Sequence, residues 1–274
     1  MSKSPDLTAR DSHFAFGKNW ARYADVVGEP QIEQAIAGLQ RLVGDRLAGG
    51  TFLDIGCGSG VHALAALRLG AAQVVAVDID ADSVATSRRL LGRHAPGAPW
   101  RVVEGSVFDL TPEATGRFDI VYSWGVLHHT GDMYRALRCA AGLVKDDGVF
   151  AFALYRQTAC CGLWKIEKKW YAQAGNRAQH LARRAYIGAS WLNAVCRGRS
   201  LRSSIKSYVT SRGMDFDRDV HDWLGGWPYE SISPVQTERF MTELGLRQVR
   251  AFLYPRRSLG LFGSGCDEYV YARN

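Results

Sequence analysis

The stretch that decides the fold is residues 51–60, TFLDIGCGSG. Its apolar residues Phe52, Leu53 and Ile55 lead into glycines at alternate positions, Gly56, Gly58 and Gly60. A helix-compatible run, VHALAALRLG (61–70), follows at once. That order predicts a strand, a tight turn and a helix. Glycine suits the turn on two counts. It takes backbone angles with φ > 0 at no steric cost. It also lets a ligand lie on the backbone, at the positive end of the helix that follows.

A second apolar run, residues 73–80 (QVVAVDID), comes roughly 20 residues further on and ends in an acid. An acid at the tip of the second strand holds the two hydroxyls of a ribose. Asp78 is therefore the expected ribose ligand, with Ile79 beside it. The glycine spacing is G-x-G-x-G, not the G-x-G-x-x-G that seats a pyrophosphate on a helix N-terminus. Asp54 lies two residues before Gly56. It would repel a pyrophosphate and attract an ammonium group. A nucleoside carrying an amino-acid tail meets both conditions, and S-adenosylmethionine (SAM) is such a ligand.

With LDIGCGSG and VVAVDID in place, the chain resembles the class I SAM-dependent methyltransferases, nearest to the ubiquinone-biosynthesis type of small-molecule O-methyltransferase. The likeness covers 50–155 specifically and 234–272 loosely. It implies an α/β fold, a doubly wound and mainly parallel seven-stranded Rossmann-like sheet with an antiparallel last strand. It implies SAM as cofactor, held by Asp54, Gly56, Cys57, Gly58, Gly60, Asp78 and Ile79. The adenine edge falls to Ser106 and Val107 after the third strand, with Trp124 at the end of the fourth.

The alternation of strands and helices reads the same way without the resemblance. Strands are expected at 51–55, 73–78, 100–104, 118–124 and 148–155, and helices at 60–69, 81–92 and 132–143, with Asp132 as N-cap. The turn KDDG (145–148) precedes the fifth strand. Residues 31–47 carry apolar side chains at helical spacing and pack on the sheet. Ser233-Pro234 opens a last helix, and 247–254 and 268–272 close the sheet. The domains expected are an N-terminal capping segment and helix (1–47), a SAM-binding core (48–155), a basic, aromatic-rich helical insertion on the acceptor side (156–232), and a final helix with a strand hairpin (233–274).

At 274 residues the chain suits one large domain with an insertion. No apolar run approaches the roughly 20 residues of a membrane span, and the N-terminus lacks the apolar core of a signal peptide. A cytoplasmic location is expected. The six cysteines include no C-x-x-C pair, and Cys160 and Cys161 are adjacent. No metal is implied. The net charge of +7 is uneven. Residues 156–218 hold 13 Lys and Arg against 3 Asp and Glu, a surplus of +10, which leaves −3 for the rest.

For chemistry, the segment GVLHHTGD (125–132) follows the fourth strand, where the methyl group meets the acceptor in this family. A histidine near neutral pKa is the usual group to take a proton from an oxygen or nitrogen acceptor. His128 and His129 are the catalytic candidates, His128 facing the acceptor and His129 turned outward. The competing reading is that both cap the loop and orient the next helix. His221, Asp222, Tyr229 and Glu230 are rivals, in a stretch (DWLGGWPYE, 222–230) read as a loop. His62 is read as structural. Trp20, Tyr23, Tyr155, Trp227 and Tyr229 are the expected acceptor contacts. Most insertion aromatics are expected to pack a small core of their own, and its cations to form a solvated face. Those cations also suit acidic lipid headgroups, a diphosphate-linked substrate or a nucleic-acid backbone. The reading is methyl transfer to a small or lipid-linked molecule, at oxygen. The alternatives are an RNA methyltransferase and a nucleoside-binding interaction protein without catalysis.

Overall fold

A computed structural model describes residues 27–196, 198, 216–254 and 259–273. Seven strands form one sheet: β1 (Thr51–Ile55), β2 (Gln73–Asp78), β3 (Trp100–Glu104), β4 (Phe118–Trp124), β5 (Val144–Tyr155), β6 (Leu246–Phe252) and β7 (Cys266–Arg273). Their order is β3-β2-β1-β4-β5-β7-β6. All neighbours are parallel except the pairs made by β7, which runs antiparallel to β5 and β6. The doubly wound sheet expected from the sequence is the one observed.

Both faces are covered, and β1 shows why its sequence is a near-continuous apolar run. Phe52 joins the core under helices α1 (Glu29–Val43), α2 (Val61–Arg68) and α3 (Ala81–His94), while Leu53 and Ile55 join the core on the other side. There α4 (Met133–Gly142) and α8 (Pro234–Glu243) pack. Asp132 accepts from the Arg135 amide at 3.1 Å, and Ser233 and Gln236 form a reciprocal cap with Pro234 in the first turn. β5 begins earlier than expected and runs through the predicted turn. Asp147 takes a left-handed φ of 63° and the β4–β5 register slips between Phe118 and Ile120, so the turn survives as an irregularity inside the strand.

Between β5 and α8 lie α5 (Cys161–Gln173), α6 (Asn176–Cys196) and α7 (Phe216–Gly225). Tyr171, Val220 and Leu224 form a separate small core there, joined by Trp164, Tyr186 and Trp223. This is the private core expected for the insertion aromatics. One expectation fails: Asp222, Trp223, Leu224 and Gly225 are helical, not loop. The apolar residues Val220, Trp223 and Leu224 recur at helical spacing and need a common face toward α5. Arg156 pairs with Asp267 at 3.1 Å, both nearly fully buried, and so ties the end of β5 to the start of β7.

Candidate active site

A cavity of about 860 Å³ opens beyond the C-terminal ends of the parallel strands, where ligands of doubly wound sheets bind. Gly56, Gly58 and Gly60 all have positive φ, at 75°, 53° and 81°. Glycine is required at the first for a second reason. A Cβ on Gly56 would overlap the side chain of Val126, in the turn after β4. A Cβ on Gly60 would come within 2.8 Å of Ser87 Oγ.

Asp78 locks the turn to the tip of β2. The Gly58 amide donates to one of its oxygens at 2.9 Å and the Asp80 amide to the other at 3.0 Å. Burial pushes its pKa up to about 6, against those hydrogen bonds. Gly56, Cys57, Gly58, Asp78, Ile79, Ser106, Val107 and Trp124, the expected cofactor contacts, all line the cavity. The Ser106 hydroxyl also accepts from the Phe108 amide at 3.2 Å. Trp124 donates its indole N–H to Glu268 at 2.9 Å.

Gly60 and Asp54 do not reach the cavity wall. Asp54 is buried beneath the turn, and its Oδ2 has no hydrogen-bond partner. Burial first, then the nearby Asp78 carboxylate, raises its pKa to about 8. An orphaned buried carboxylate costs free energy that a cation would recover. The site thus fits a nucleoside bearing an ammonium group: a carboxylate at a diol position, glycine backbone between, and under the turn a buried carboxyl whose Oδ2 has no partner and whose charged form a cation would favour.

The histidine pair turns out opposite to expectation. Both are buried, but His129 lines the cavity and His128 does not. The Tyr155 amide donates to His128 Nδ1 at 3.4 Å, and His128 Nε2 is buried without a partner. Burial, then His129, then Lys168 hold the His128 pKa well below its usual value. His129 Nδ1 lies 2.7 Å from the Pro228 carbonyl. A carbonyl only accepts, so Nδ1 carries a proton, and in the neutral ring the lone pair is then on Nε2. The short 3₁₀ turn Leu127–His129 sets this orientation, and no local sequence pattern specifies it.

The segment 226–232 clamps the pair from above. The Glu230 amide donates to the His128 carbonyl at 3.0 Å, and its carboxylate accepts from the Met133 amide at the start of α4. That use occupies one rival for the base. Tyr229 is buried and donates to Cys161 Sγ at 3.2 Å, and neither it nor Trp227 lines the cavity, contrary to expectation. His221 bonds to the Tyr171 hydroxyl at 2.7 Å. Asp222 and Tyr155 do line the cavity. Trp20 and Tyr23 lie outside the described residues.

Sequence reasoning missed several wall residues. α1 contributes Gln31, Gln34 and Gly38, and α6 contributes Tyr186, Ser190 and Asn193. The polar residues interrupting the apolar stripe of α1 were a usable signal. His62, read as structural, also lines the cavity against the Tyr122 ring, and burial lowers its pKa to about 4. Among the described residues the lining holds Asp78, Asp80, Asp222 and Glu268 but no Lys or Arg.

Residues 53–152 match the family described as a methyltransferase domain. Over 135 residues the chain is 35% identical to the ubiquinone biosynthesis O-methyltransferase of Xanthomonas oryzae pv. oryzae (strain PXO99A), covering 49% of this chain and 55% of that protein. The chain therefore spans about half the length of the curated relatives it matches. Its fold is similar to that of a magnesium protoporphyrin IX methyltransferase from Synechocystis PCC 6803 with bound SAH, at a TM-score of 0.53 and 14% identity over 94% of this chain and 88% of that one. It is also similar to a 1,6-didemethyltoxoflavin-N1-methyltransferase from Burkholderia thailandensis, at a TM-score of 0.51 and 17% identity over 89% and 78%. Residues 53–152 thus match the methyltransferase domain family, set in a fold that methyltransferases named for quite different acceptors share.

Proposed function

We propose that this chain is a SAM-dependent methyltransferase acting on a small or lipid-linked acceptor, at oxygen. The observation that carries the reading is one continuous cavity with the Asp78–Gly58 turn at one end and His129 among aromatic rings at the other. Bound SAM would supply a methyl group already activated on a sulfonium. The protein's part is then mostly positioning. Asp78 accepts from the ribose hydroxyls, Asp54 compensates the ammonium, and Ser106 and Val107 meet the adenine edge. Tyr155, Trp223, Tyr186 and Phe262 offer flat apolar walls to the acceptor. His129 Nε2 takes the acceptor's proton. Its tautomer is held by Pro228, and its imidazole edge packs on Gly226, where a Cβ would fall 2.7 Å from the ring.

The charge of the lining favours one acceptor class over the others. An RNA or a carboxylated acceptor needs cations at the reacting end. The described wall offers carboxylates instead. An uncharged acceptor with an ionisable hydroxyl suits it better. Calorimetric titration with SAM, S-adenosylhomocysteine and NAD⁺ tests the cofactor. Binding of the two sulfur nucleosides and not NAD⁺ is expected. Failure to bind either would favour the non-catalytic reading. Labelled methyl transfer into extract fractions then tests the acceptor, with label expected in lipid or small molecules. Label in RNA would overturn the acceptor class while leaving the cofactor intact.

A further inference from the structure

One row of side chains crosses the sheet at the edge of the cavity. Trp124 on β4 is paired with Ala153 on β5, Ala153 with Glu268 on β7, and Glu268 with Phe252 on β6. Residues paired in this way point to the same face of a sheet. Here it is the face under α1, α2 and α3, because the neighbouring row, Tyr122, Ala151 and Val270, belongs to that core. β4 and β7 are two strand spacings apart, roughly 10 Å. The Trp124 indole N–H nevertheless reaches Glu268 at 2.9 Å. It does so over Ala153, whose methyl group is short enough to pass beneath the contact. A larger side chain there would stand between the two.

The carboxylate is held from its other side as well. Its second oxygen accepts from the Arg41 guanidinium of α1 at 2.5 Å. The same guanidinium lies 4.2 Å from the centre of the Phe252 ring, and Arg250 on β6 donates to the Arg41 carbonyl at 2.9 Å. The Phe252 ring and Arg250 thus fix Arg41, and Arg41 fixes Glu268. As an ion pair this contributes little to stability, since the Arg41 side chain is 44% exposed. Its place in the cavity gives it another use. Both Trp124 and Glu268 line the wall, beside Gly38 and Leu42 of α1 and His62 of α2. Trp124 is 39% exposed, and an indole that open has other rotamers to take. The hydrogen bond to Glu268 selects one of them. β4 ends at Trp124, and Gly125 turns the chain with a φ of 74° into the segment that carries Val126 and His129.

We propose that Glu268 is a positioning residue for the cofactor wall, holding the Trp124 indole across the Ala153 gap in the orientation that SAM packs against. Arg41 acts one step further out, by keeping the carboxylate turned toward the indole. What the role requires of residue 268 is an oxygen that accepts from the indole N–H, not a negative charge. The assignment deepens the proposed function and rests on its reading of the cavity as a SAM site.

The test is calorimetric titration of the full chain with SAM and S-adenosylhomocysteine, paired with the indole N–H resonances of isotope-labelled protein. Trp124→Phe identifies the Trp124 resonance by its loss. Glu268→Leu should weaken SAM binding by about tenfold and move the Trp124 indole proton upfield, because its acceptor is gone. Glu268→Gln keeps an acceptor oxygen and should hold affinity within about twofold of wild type, with the resonance in place. Trp124→Phe should cost about as much as Glu268→Leu, and the double variant no more than either alone, because both remove one contact. Arg41→Met should weaken binding by about threefold and shift the same resonance partway. Wild-type affinity in Glu268→Leu overturns the proposal, as does a double variant whose losses multiply. Equal loss in Glu268→Leu and Glu268→Gln also overturns it, by making the charge the contributor. Circular dichroism checks folding. If Glu268→Leu does not fold, Arg41→Met decides, and an unmoved resonance with unchanged affinity there overturns the role. A wild type that binds neither sulfur nucleoside overturns the proposed function and this assignment together. Normal wild-type binding with an indifferent Glu268→Leu overturns this assignment alone.

Discussion

The two ends of the cavity differ in how their geometry is enforced. At the cofactor end, backbone does the work. Three positive-φ glycines, an amide-to-carboxylate lock and a Cβ-free contact with Val126 leave little freedom in sequence or shape. At the acceptor end, side chains do it. Tyr155 sits 5.2 Å from Trp223 and 5.3 Å from Tyr229, ring centre to ring centre, and Lys168 lies 3.6 Å from the Trp223 ring while donating to the Trp223 carbonyl. Many ring shapes would pack as well. Backbone-built sites are intolerant and recognise one ligand, whereas packed aromatic walls can be recut for new acceptors.

The contrast breaks most sharply at Asp78. Asp78→Ala removes the ribose acceptor and leaves the Gly58 and Asp80 amides without theirs, so SAM affinity should fall by 100-fold or more, from about 3 kcal/mol of charge-assisted hydrogen bonding. Unchanged affinity in calorimetry would end the ribose assignment. At the other end, His129→Ala should lower kcat by about 100-fold with SAM affinity intact. His128→Ala, by comparison, should lower thermal stability and act on turnover only through folding. If the two exchange effects, the orientation of the pair is wrong.

Asp54 sharpens the comparison through pH. Its folded, ligand-free pKa of about 8 lies above the ordinary 3.8, so its contribution to stability is full below about pH 4 and lost as pH rises through 8. Binding an ammonium draws the carboxylate form, so SAM binding near pH 7 should release a proton and tighten toward pH 8, by at most about tenfold per pH unit. Calorimetry in buffers of different ionisation enthalpy reads the proton directly, and Asp54→Asn should abolish its release. The smallest effect is expected at Lys168. Burial lowers its pKa, so the unfolded chain binds more protons and stability should rise with pH above 7. Lys168→Met should flatten that rise while changing stability at pH 7 by no more than about 1–2 kcal/mol. A thermal-melt series across pH checks both.

The same contrast explains what could be read from the sequence. Gly56, Gly58 and Asp78 announce themselves because each is the residue type that the backbone geometry needs. The strands followed from their apolar runs, and the doubly wound parallel sheet from their alternation with helices. His128 and His129 were found as a pair, but which one meets the cavity depends on a 3₁₀ turn and on Pro228, about 100 residues away in sequence. Trp227 and Tyr229 were expected to contact the acceptor because they sit in a glycine- and proline-bearing stretch read as a loop. In the structure Tyr229 is buried by Cys161 and Ser264, contacts that cross 68 and 35 residues. Local pattern encodes backbone demands well and long-range side-chain orientation poorly.

The overlap that forbids a side chain on Gly56 has a further consequence. Val126 belongs to the segment that carries His129, and Gly56 belongs to the turn that carries Asp78 through Gly58. The two turns share one contact with no slack. A ligand that shifts either by a few tenths of an ångström must shift the other. Occupancy of one end of the cavity should therefore change affinity at the other, and by the reciprocity of linked equilibria the factor is the same in both directions. The order in which the two ligands arrive would then be written into a single hydrogen atom.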